Sequence, residues 1–285
     1  MAQFTTALAN DFNTVRNIVA NNLGTGSGTK GYGSPVSSFV VAPNGFISAT
    51  EFTALANDIN ACYRHITNAN ASLAPVVANS VVTWANFVTY QAAATYINNN
   101  SDTNGGAVST PSNSVTLPAG WGNASGNEVA TMNGTLTFAS AEAMRFFFNQ
   151  ANSIRMTGSG SGGTDIKGPM FSTLAGSINL NFNQTNYRTS TGANQTAKSN
   201  TNPYGYSGPV NFPAVDSQIR VAFGAPSGNT ISFSIICFDT GDDNVVESDV
   251  TSTLVFTITR TVSNTAGTTA YDPTVTFGSW SYSAS

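Results

Sequence analysis

Two glycine-rich stretches of the chain have the spacing of a dinucleotide-binding loop, G-x-G-x-x-G. The first is GTGSGTKGYG at residues 24–33, and the second is GSGSGG at residues 158–163. The matching glycines are Gly26, Gly28 and Gly31 in the first stretch and Gly158, Gly160 and Gly163 in the second. Such a loop binds a pyrophosphate when a strand precedes it and a helix follows it directly, because the free N–H groups of that helix hold the phosphate.

Neither stretch has this context. The first follows a helical pattern and leads into extended chain, and Lys30 is followed by Gly31, where a P-loop requires Ser or Thr. The second follows a strand pattern, but the next helix begins only after Pro169. We therefore predict that the first stretch is a helix cap and connector, that the second is a flexible turn on a sheet, and that the protein holds no nucleotide cofactor.

Side chains for nucleophilic or zinc chemistry are few. His65 is the only histidine and lies in a helical pattern beside Arg64, so we predict a partly exposed histidine on a helix surface. Cys62 and Cys237 lie among apolar neighbours and are predicted to be buried free thiols. One histidine and two distant cysteines do not form the ligand set of a zinc site.

An acidic run, FDTGDDNVVESD, holds five of the fourteen acidic residues of the chain. Oxygen ligands at this density can bind Ca²⁺, although the spacing of an EF-hand is absent. The candidate ligands are Asp239, Asp242, Asp243 and Glu247. The alternative interpretation is a solvated hairpin loop, and the sequence offers ligands for no other cofactor.

Aromatic side chains could line a sugar groove next to a pair of glycosidase carboxylates. The candidate aromatics are Trp84, Trp121, Tyr204, Tyr206 and Trp280. Nothing in the spacing of the acids selects such a pair, so we interpret these aromatics as core and subunit interface. The sequence therefore predicts no catalytic residue and no enzymatic activity.

Charged residues make up only 8% of the 285 residues, against about 25% in an average soluble protein. The net charge of −4 comes from few groups, and the sequence has no basic patch for a phosphate backbone. No apolar run approaches the roughly 20 residues of a membrane-spanning helix, and MAQFTTALAN lacks the regions of a signal peptide. We expect a protein made in the cytoplasm without a signal peptide, with neither nucleic acid nor membrane as a partner.

An internal repeat organises the N-terminal region, since TALANDFN at residues 6–13 returns as TALANDIN at residues 53–60. Apolar residues recur at helical spacing in both copies, which predicts helices over residues 4–23 and 49–67. Ser48 and Glu51 form a capping box before the second helix, and Gly24 is expected to be a left-handed cap after the first. Equivalent positions, Leu8 with Leu55 and Phe12 with Ile59, should lie on equivalent faces where the two helices pack.

Beyond Pro75 the pattern changes, and we place a domain boundary between residues 74 and 75. VVTWANFVTYQAAATYIN is compatible with a helix, and NNNSDTNGGAVSTPSNS is predicted to be a long polar loop. Six later segments alternate polar with apolar residues and predict strands: EVATMNGTLTFAS, SIRMTGS, QIRVAFGA, TISFSIICFD, STLVFTITRTV and TVTFGSWSYS. Two short helices, SAEAMRFFFNQ and PMFSTLAGSI, interrupt them.

The expected fold class is therefore α+β. A small helical module of residues 1–74 precedes an antiparallel, β-sandwich-like domain of residues 75–285 with short inserted helices.

Three segments together resemble virion structural proteins of tailed phages, especially those of large marine and cyanobacterial phages. They are NTVRNIVANNLGTGSGTKGYGSPVSS, ISATEFTALANDINACYRHI and AEAMRFFFNQANSIRMTGSGSGGT. In such proteins a helical module with a G-T-G-S-G-x-x-G-Y-G loop, and a later helix with a run of Phe before a Gly/Ser turn, are similar to these segments. The resemblance covers residues 1–70 and the middle of the chain.

The resemblance implies a non-enzymatic virion component associated with the tail, such as a tail, baseplate or fibre-attachment protein. It also implies assembly as a trimer or hexamer, with other copies and other virion proteins as partners. Alternatives are a capsid decoration or neck protein, and a tailspike-type receptor-binding protein that recognises a host-surface glycan. The expected contact residues are Phe277, Trp280 and Tyr282 between copies, and Leu8 and Leu55 between the repeat helices.

Overall fold

The computed structural model describes most of the chain in ten ranges. These are residues 2–43, 45–77, 82–109, 112–121, 128–162, 167–189, 194–199, 218–239, 250–263 and 271–284. The fold is α+β, as predicted, and the chain divides into two compact units. The first consists of Met1–Val108, Glu142–Asn152 and Thr261–Asp272, and the second of Ser109–Ala141, Ser153–Arg260 and Pro273–Ser285.

Three long helices form the core of the first unit. Their bounds are Ala2–Leu23 for α1, Ala49–Thr67 for α2 and Trp84–Asn100 for α3. Each helix packs against the other two, and the Phe52 ring meets the rings of Phe12 and Tyr90 edge to face, at centroid distances of 5.3 and 5.4 Å. The predicted helices and the capping box at Ser48 are confirmed. Because α3 packs on both repeat helices, this unit extends past the boundary predicted at residue 74.

The two copies of the repeat have equivalent roles. Phe12 and Ile59, which are equivalent positions, are both fully buried, as is Leu55. The side chain of Leu8 lies outside the described part of the structure. Asn13 Oδ1 accepts a hydrogen bond from the Val41 N–H at 2.9 Å, and its repeat counterpart Asn60 accepts one from the Ala71 N–H at 3.0 Å. Each copy therefore supplies an apolar face and an asparagine that fixes the extended chain following its helix.

Two further elements return to the first unit from distant sequence. One is α4, Ala141–Asn149, which belongs to this unit from Glu142 onward, and the other is the segment from Thr261 to Asp272. The predicted helix SAEAMRFFFNQ corresponds to α4, and its Phe147 and Phe148 are fully buried.

The second unit contains two sheets. The described strands are β1 Ala107–Ser109, β2 Asn113–Leu117, β3 Glu128–Thr137, β4 Ser153–Gly162, β5 Asn179–Phe182, β6 Asn194–Ser199, β7 Gln218–Phe223, β8 Thr230–Asp239, β9 Ser252–Ser263, β10 Thr274–Phe277 and β11 Ser281–Ala284. Ala107 and Val108 of β1 and Thr261–Ser263 of β9 belong to the first unit. Two helices, α5 Lys167–Gly176 and α6 Gln184–Thr189, lie between strands in sequence. All six predicted strand segments are strands.

The first sheet has the order β1-β9-β4-β5, with β2 also paired to β9, and the second has the order β10-β3-β8-β7-β6, with β11 also paired to β3. Every pairing in the second sheet is antiparallel. Residues of β8 alternate between buried and more exposed positions. The rings of Phe182 in one sheet and Phe223 in the other are 5.6 Å apart, so apolar side chains of the two sheets pack against each other.

The structure corrects two loop predictions in this unit. Gly158 and Gly160 of GSGSGG lie inside β4 instead of in a turn, and Gly163 lies outside the described residues. A Cβ at Gly160 would stand 2.3 Å from Ser172 Cα, and one at Gly158 would stand 2.5 Å from the Ala175 carbonyl oxygen. These glycines therefore allow α5 to pack directly on the strand.

The polar segment predicted as a long loop contains β1 and the start of β2. Its residues Asn113 and Ser114 pair with Ile258 and Thr257 of β9. Pairing with a long neighbouring strand satisfies the backbone N–H and C=O groups of a segment whatever its side chains are. The polar composition of this segment therefore did not exclude strands.

Leu55→Ala is expected to lower the free energy of unfolding by about 2–5 kcal/mol, because Leu55 is fully buried in the helical core. Urea denaturation of the full chain measures this loss. Val40→Ala is the control, since Val40 is 59% exposed and its truncation should change stability by no more than about 0.5 kcal/mol. Equal, small effects of the two substitutions would contradict the assignment of Leu55 to the core.

Candidate functional site

The glycine loop, residues 24–33, lies at the C-terminal end of α1. Four of its glycines, Gly26, Gly28, Gly31 and Gly33, have φ angles between 53° and 100°, a region that residues with a Cβ rarely adopt. The N–H groups of Tyr32 and Ser34 donate to the carbonyls of Asn22 and Leu23 in the last turn of the helix, both at 2.9 Å. The returning loop therefore caps the helix.

The cap differs from the one predicted at Gly24. Gly24 is not among the glycines with positive φ, and its N–H donates to the Ala20 carbonyl at 2.9 Å, which continues the helical pattern. The left-handed residues come two positions later, from Gly26 onward.

The carbonyl groups of the glycine loop point toward side chains of α4 and the residue after it. The Arg145 guanidinium donates to the carbonyls of Thr25 and Lys30, both at 2.6 Å. The Asn149 amide donates to the carbonyls of Gly28, Lys30 and Gly31 at 3.0 to 3.3 Å. Just beyond α4, the Gln150 amide donates to the Tyr32 carbonyl at 2.7 Å. The loop thus offers acceptors to its own chain, whereas a phosphate-binding loop offers donors.

Arg145 is fixed by two further contacts. Its Nη2 forms an ion pair with Glu142 Oε2 at 2.7 Å, and its guanidinium carbon lies 4.7 Å from the centre of the Phe146 ring. The Arg145 side chain is 15% exposed, whereas that of Glu142 is 64% exposed, so solvent screens the ion pair and it orients the guanidinium more than it stabilises the fold. The glycine loop and the helix with the Phe run, which both belong to the tailed-phage resemblance, are therefore partners within one unit.

His65 is fully buried, which corrects the prediction of a partly exposed side chain. Its Nδ1 lies 3.0 Å from the Ser263 hydroxyl, and its ring centroid lies 4.4 Å from that of Tyr32. Burial lowers the pKa of His65 from 6.5 to about 4. Residues from distant parts of the sequence cover this position, and the pattern of α2 alone did not reveal them.

The two cysteines are buried free thiols, as predicted. Burial raises the pKa of Cys62 and of Cys237 well above the ordinary value for a thiol. Neither side chain therefore presents a thiolate for nucleophilic or metal chemistry.

Of the candidate calcium ligands, only Asp239 lies within the described residues. Its carboxylate is buried and forms an ion pair with Lys167 Nζ at 2.9 Å, so a counter-charge already faces it. Asp242, Asp243 and Glu247 lie outside the described residues, and the calcium site stays a prediction. Within the ranges that the structure describes, no three or more His, Cys, Asp or Glu side chains are grouped so as to hold a metal ion.

The predicted contact residues Phe277, Trp280 and Tyr282 lie in or between β10 and β11. Phe277 and Trp280 are half-buried, at ring distances of 5.5 Å from Phe233 and 6.1 Å from Phe256. Tyr282 is 50% exposed. Both strands pair with β3, and in the described part of the chain no other strand is paired to their outer side. Residues 274–284 thus form an edge of the six-stranded sheet, here called the aromatic edge.

No family model and no curated protein matches the chain. A crystal structure of a double-cysteine variant of alginate lyase A1-II′ aligns with 58% of this chain and 65% of its own, at 14% sequence identity. This chain therefore spans less than two thirds of that structure. The TM-score is 0.16, and a likeness at this level carries no argument about fold or function.

In the ranges that the structure covers, no helix combines the length and the apolar character needed to cross a membrane.

His65 should make the protein less stable in weak acid. Because its folded pKa is about 4 and its ordinary pKa is 6.5, the unfolded chain binds more protons between these values, and the free energy of unfolding falls as the pH drops from 6.5 toward 4. Over the whole interval between these two pKa values, protonation of His65 in the unfolded chain lowers the free energy of unfolding by about 3 kcal/mol. Urea denaturation of wild type and His65→Gln across this range isolates the effect, since carboxylates titrate in both proteins. Parallel stability curves for the two would contradict the assignment.

Proposed function

We propose that the protein is a non-enzymatic structural component of a tailed-phage virion, located in the tail, that acts by self-assembly and by docking to other virion proteins. The resemblance of the three segments to virion proteins motivates the proposal. Two of these segments, the glycine loop and α4, contact each other within the first unit. The proposal assigns no catalytic residue and no cofactor.

The observation that carries the self-assembly part is the aromatic edge, to whose outer side no strand of the described residues is paired. A free edge strand presents unpaired N–H and C=O groups that can pair with another chain, and monomeric proteins commonly block it with Lys or Pro. Residues 274–284, TVTFGSWSYSA, contain neither and carry no charge. Among the described strands, β6 is at the other end of this sheet, and its sequence contains Lys198. This difference favours the aromatic edge as the one that pairs between copies.

Side chains at this edge give the pairing an apolar component. Tyr282 is half-exposed, and Phe277 and Trp280 are only partly covered, so a neighbouring copy would bury apolar area there. Burying a charged group in an interface is unfavourable because the group loses its water. This surface has few charged groups, so that penalty is small here. A closed ring would bury the edge identically in every copy, and the resemblance to tail proteins favours a trimer or hexamer.

Light scattering of the purified full-length protein at tens of micromolar tests the proposal, with a trimer or hexamer as the expected state. Ser283→Lys places a charge at an exposed position of the aromatic edge and should shift the protein toward monomer. Thr116→Lys is the matched control, at an exposed strand position of the other sheet, and should leave the oligomer unchanged. A wild-type monomer, or equal effects of the two lysines, would overturn self-assembly through this edge.

A further inference from the structure

An open groove with a volume of about 660 Å³ lies on the six-stranded sheet. It is lined by three consecutive residues from each of four regions, at or just beyond neighbouring strands. These are Asn133–Thr135 of β3, Ala222–Gly224 at the end of β7, Ser232–Ser234 of β8 and Thr276–Gly278 at the end of β10. We call this set the sheet trough.

The alternation of the strands places the trough on the outer face of the sheet. Phe223 and Phe233, the central residues of two of the four segments, are buried at 0 and 2% exposure and point into the core. Their neighbours in sequence must therefore point outward, since successive side chains of a strand alternate between faces. The outward set is Asn133, Thr135, Ala222, Gly224, Ser232, Ser234, Thr276 and Gly278.

Strand register arranges the outward set in two parallel rows. In the first row, Thr276 is opposite Thr135, and Thr135 is opposite Ser232. In the second row, Asn133 is opposite Ser234, and Ser234 is opposite Ala222.

A glycine lies at one end of each row. In the first row, Gly224 lies beside Ser232 and donates its N–H to the Ser232 carbonyl at 2.8 Å; in the second row, Gly278 lies beside Asn133 and donates its N–H to the Asn133 carbonyl at 2.9 Å. The trough exists because these outward positions carry small side chains or none.

Hydrogen-bonding groups in the trough are available to a ligand. The side chains of Asn133, Thr135, Ser232, Ser234 and Thr276 make no hydrogen bond to any residue that the structure describes. Hydroxyl and amide groups both donate and accept hydrogen bonds. No residue that lines the trough is charged.

From this chemistry we propose that the sheet trough binds a segment of a neutral polysaccharide. A ligand with many hydroxyl groups matches two rows of neutral donors and acceptors, whereas an anionic ligand would find no cation in the lining. Neighbouring strands lie about 4.8 Å apart, so the rows extend roughly 14 Å across four strands, enough for a few sugar rings. The inference does not rest on the proposed role in assembly.

Binding is tested with the full-length protein and a panel of neutral hexasaccharides of glucose, mannose, xylose and N-acetylglucosamine, by calorimetry and ligand-observed NMR. We expect at least one to bind saturably with a dissociation constant of about 1 mM or lower. An oligogalacturonate of the same length is the acidic comparison and should bind more weakly. No saturable binding by any neutral oligosaccharide, or tighter binding of the acidic one, would overturn the proposal.

Two threonines on one strand provide a matched pair of variants. Thr135→Val removes a hydroxyl inside the trough and should weaken binding roughly 3- to 10-fold. Thr137→Val makes the same change two residues further along the same face, outside the trough, and should leave the affinity unchanged. Ser234→Tyr fills the trough and should abolish binding.

Circular dichroism and light scattering of the same samples separate loss of the site from unfolding and from loss of self-assembly. Equal affinities for the two valine variants would contradict the assignment of the ligand to the trough.

Discussion

The hydrogen bonds between α4 and the carbonyls of the glycine loop are the constraint on which the first unit depends. They join residues separated by 115 to 121 positions in sequence. The left-handed glycines turn the loop back over the end of α1, and this turn leaves several carbonyls without helical partners. Each buried carbonyl left unpaired would cost about 1–3 kcal/mol, so the donors of Arg145 and Asn149 stabilise this conformation of the loop.

This arrangement explains why the first unit is discontinuous in sequence. The chain forms three helices, contributes strands to the second unit, and then returns with α4 and again with residues 261–272. Closing long loops costs little more than closing moderate ones, so a distant helix can complete an N-terminal module. The return of Ser263 to His65 follows the same principle, since that contact joins positions 198 residues apart.

Helices and strands with strong periodicity were predictable from the sequence. The burial of single residues and the places of the glycines depend on tertiary contacts, which the sequence did not reveal. Both repeat helices and all six strand segments were predictable, because their apolar residues recur at a single period over many residues. His65 is a polar residue of α2, and contacts with residues distant in sequence, among them Tyr32 and Ser263, bury it. Gly158 and Gly160 have the composition of a turn, yet they serve the close approach of α5 to β4.

Candidate sites were predictable to a similar degree. The sequence named Phe277, Trp280 and Tyr282 from residue type, and the pairing of β10 and β11 with β3 places them at a sheet edge; their role as contacts between copies stays a prediction. The sheet trough was not identified, since its members are Ser, Thr, Gly and Ala on four strands, and only the register places them side by side. The small outward residues of QIRVAFGA and TISFSIICFD are a sequence signal for the trough. They indicate a shared surface only once the register of β7 with β8 is known.

Native-state hydrogen exchange of Asn149→Leu is the most direct test of the dependence of the first unit on the glycine loop. Asn149 is 1% exposed, and the leucine removes a donor to three loop carbonyls while keeping the number and branching of the side-chain heavy atoms. The account predicts that the amides of Tyr32, Gly33 and Ser34 exchange at least tenfold faster than in wild type, because each 1.4 kcal/mol lost corresponds to about a factor of ten. Asn99→Leu, at an exposed position of α3, should leave them unchanged. Wild-type exchange rates at these three amides in Asn149→Leu would contradict the account.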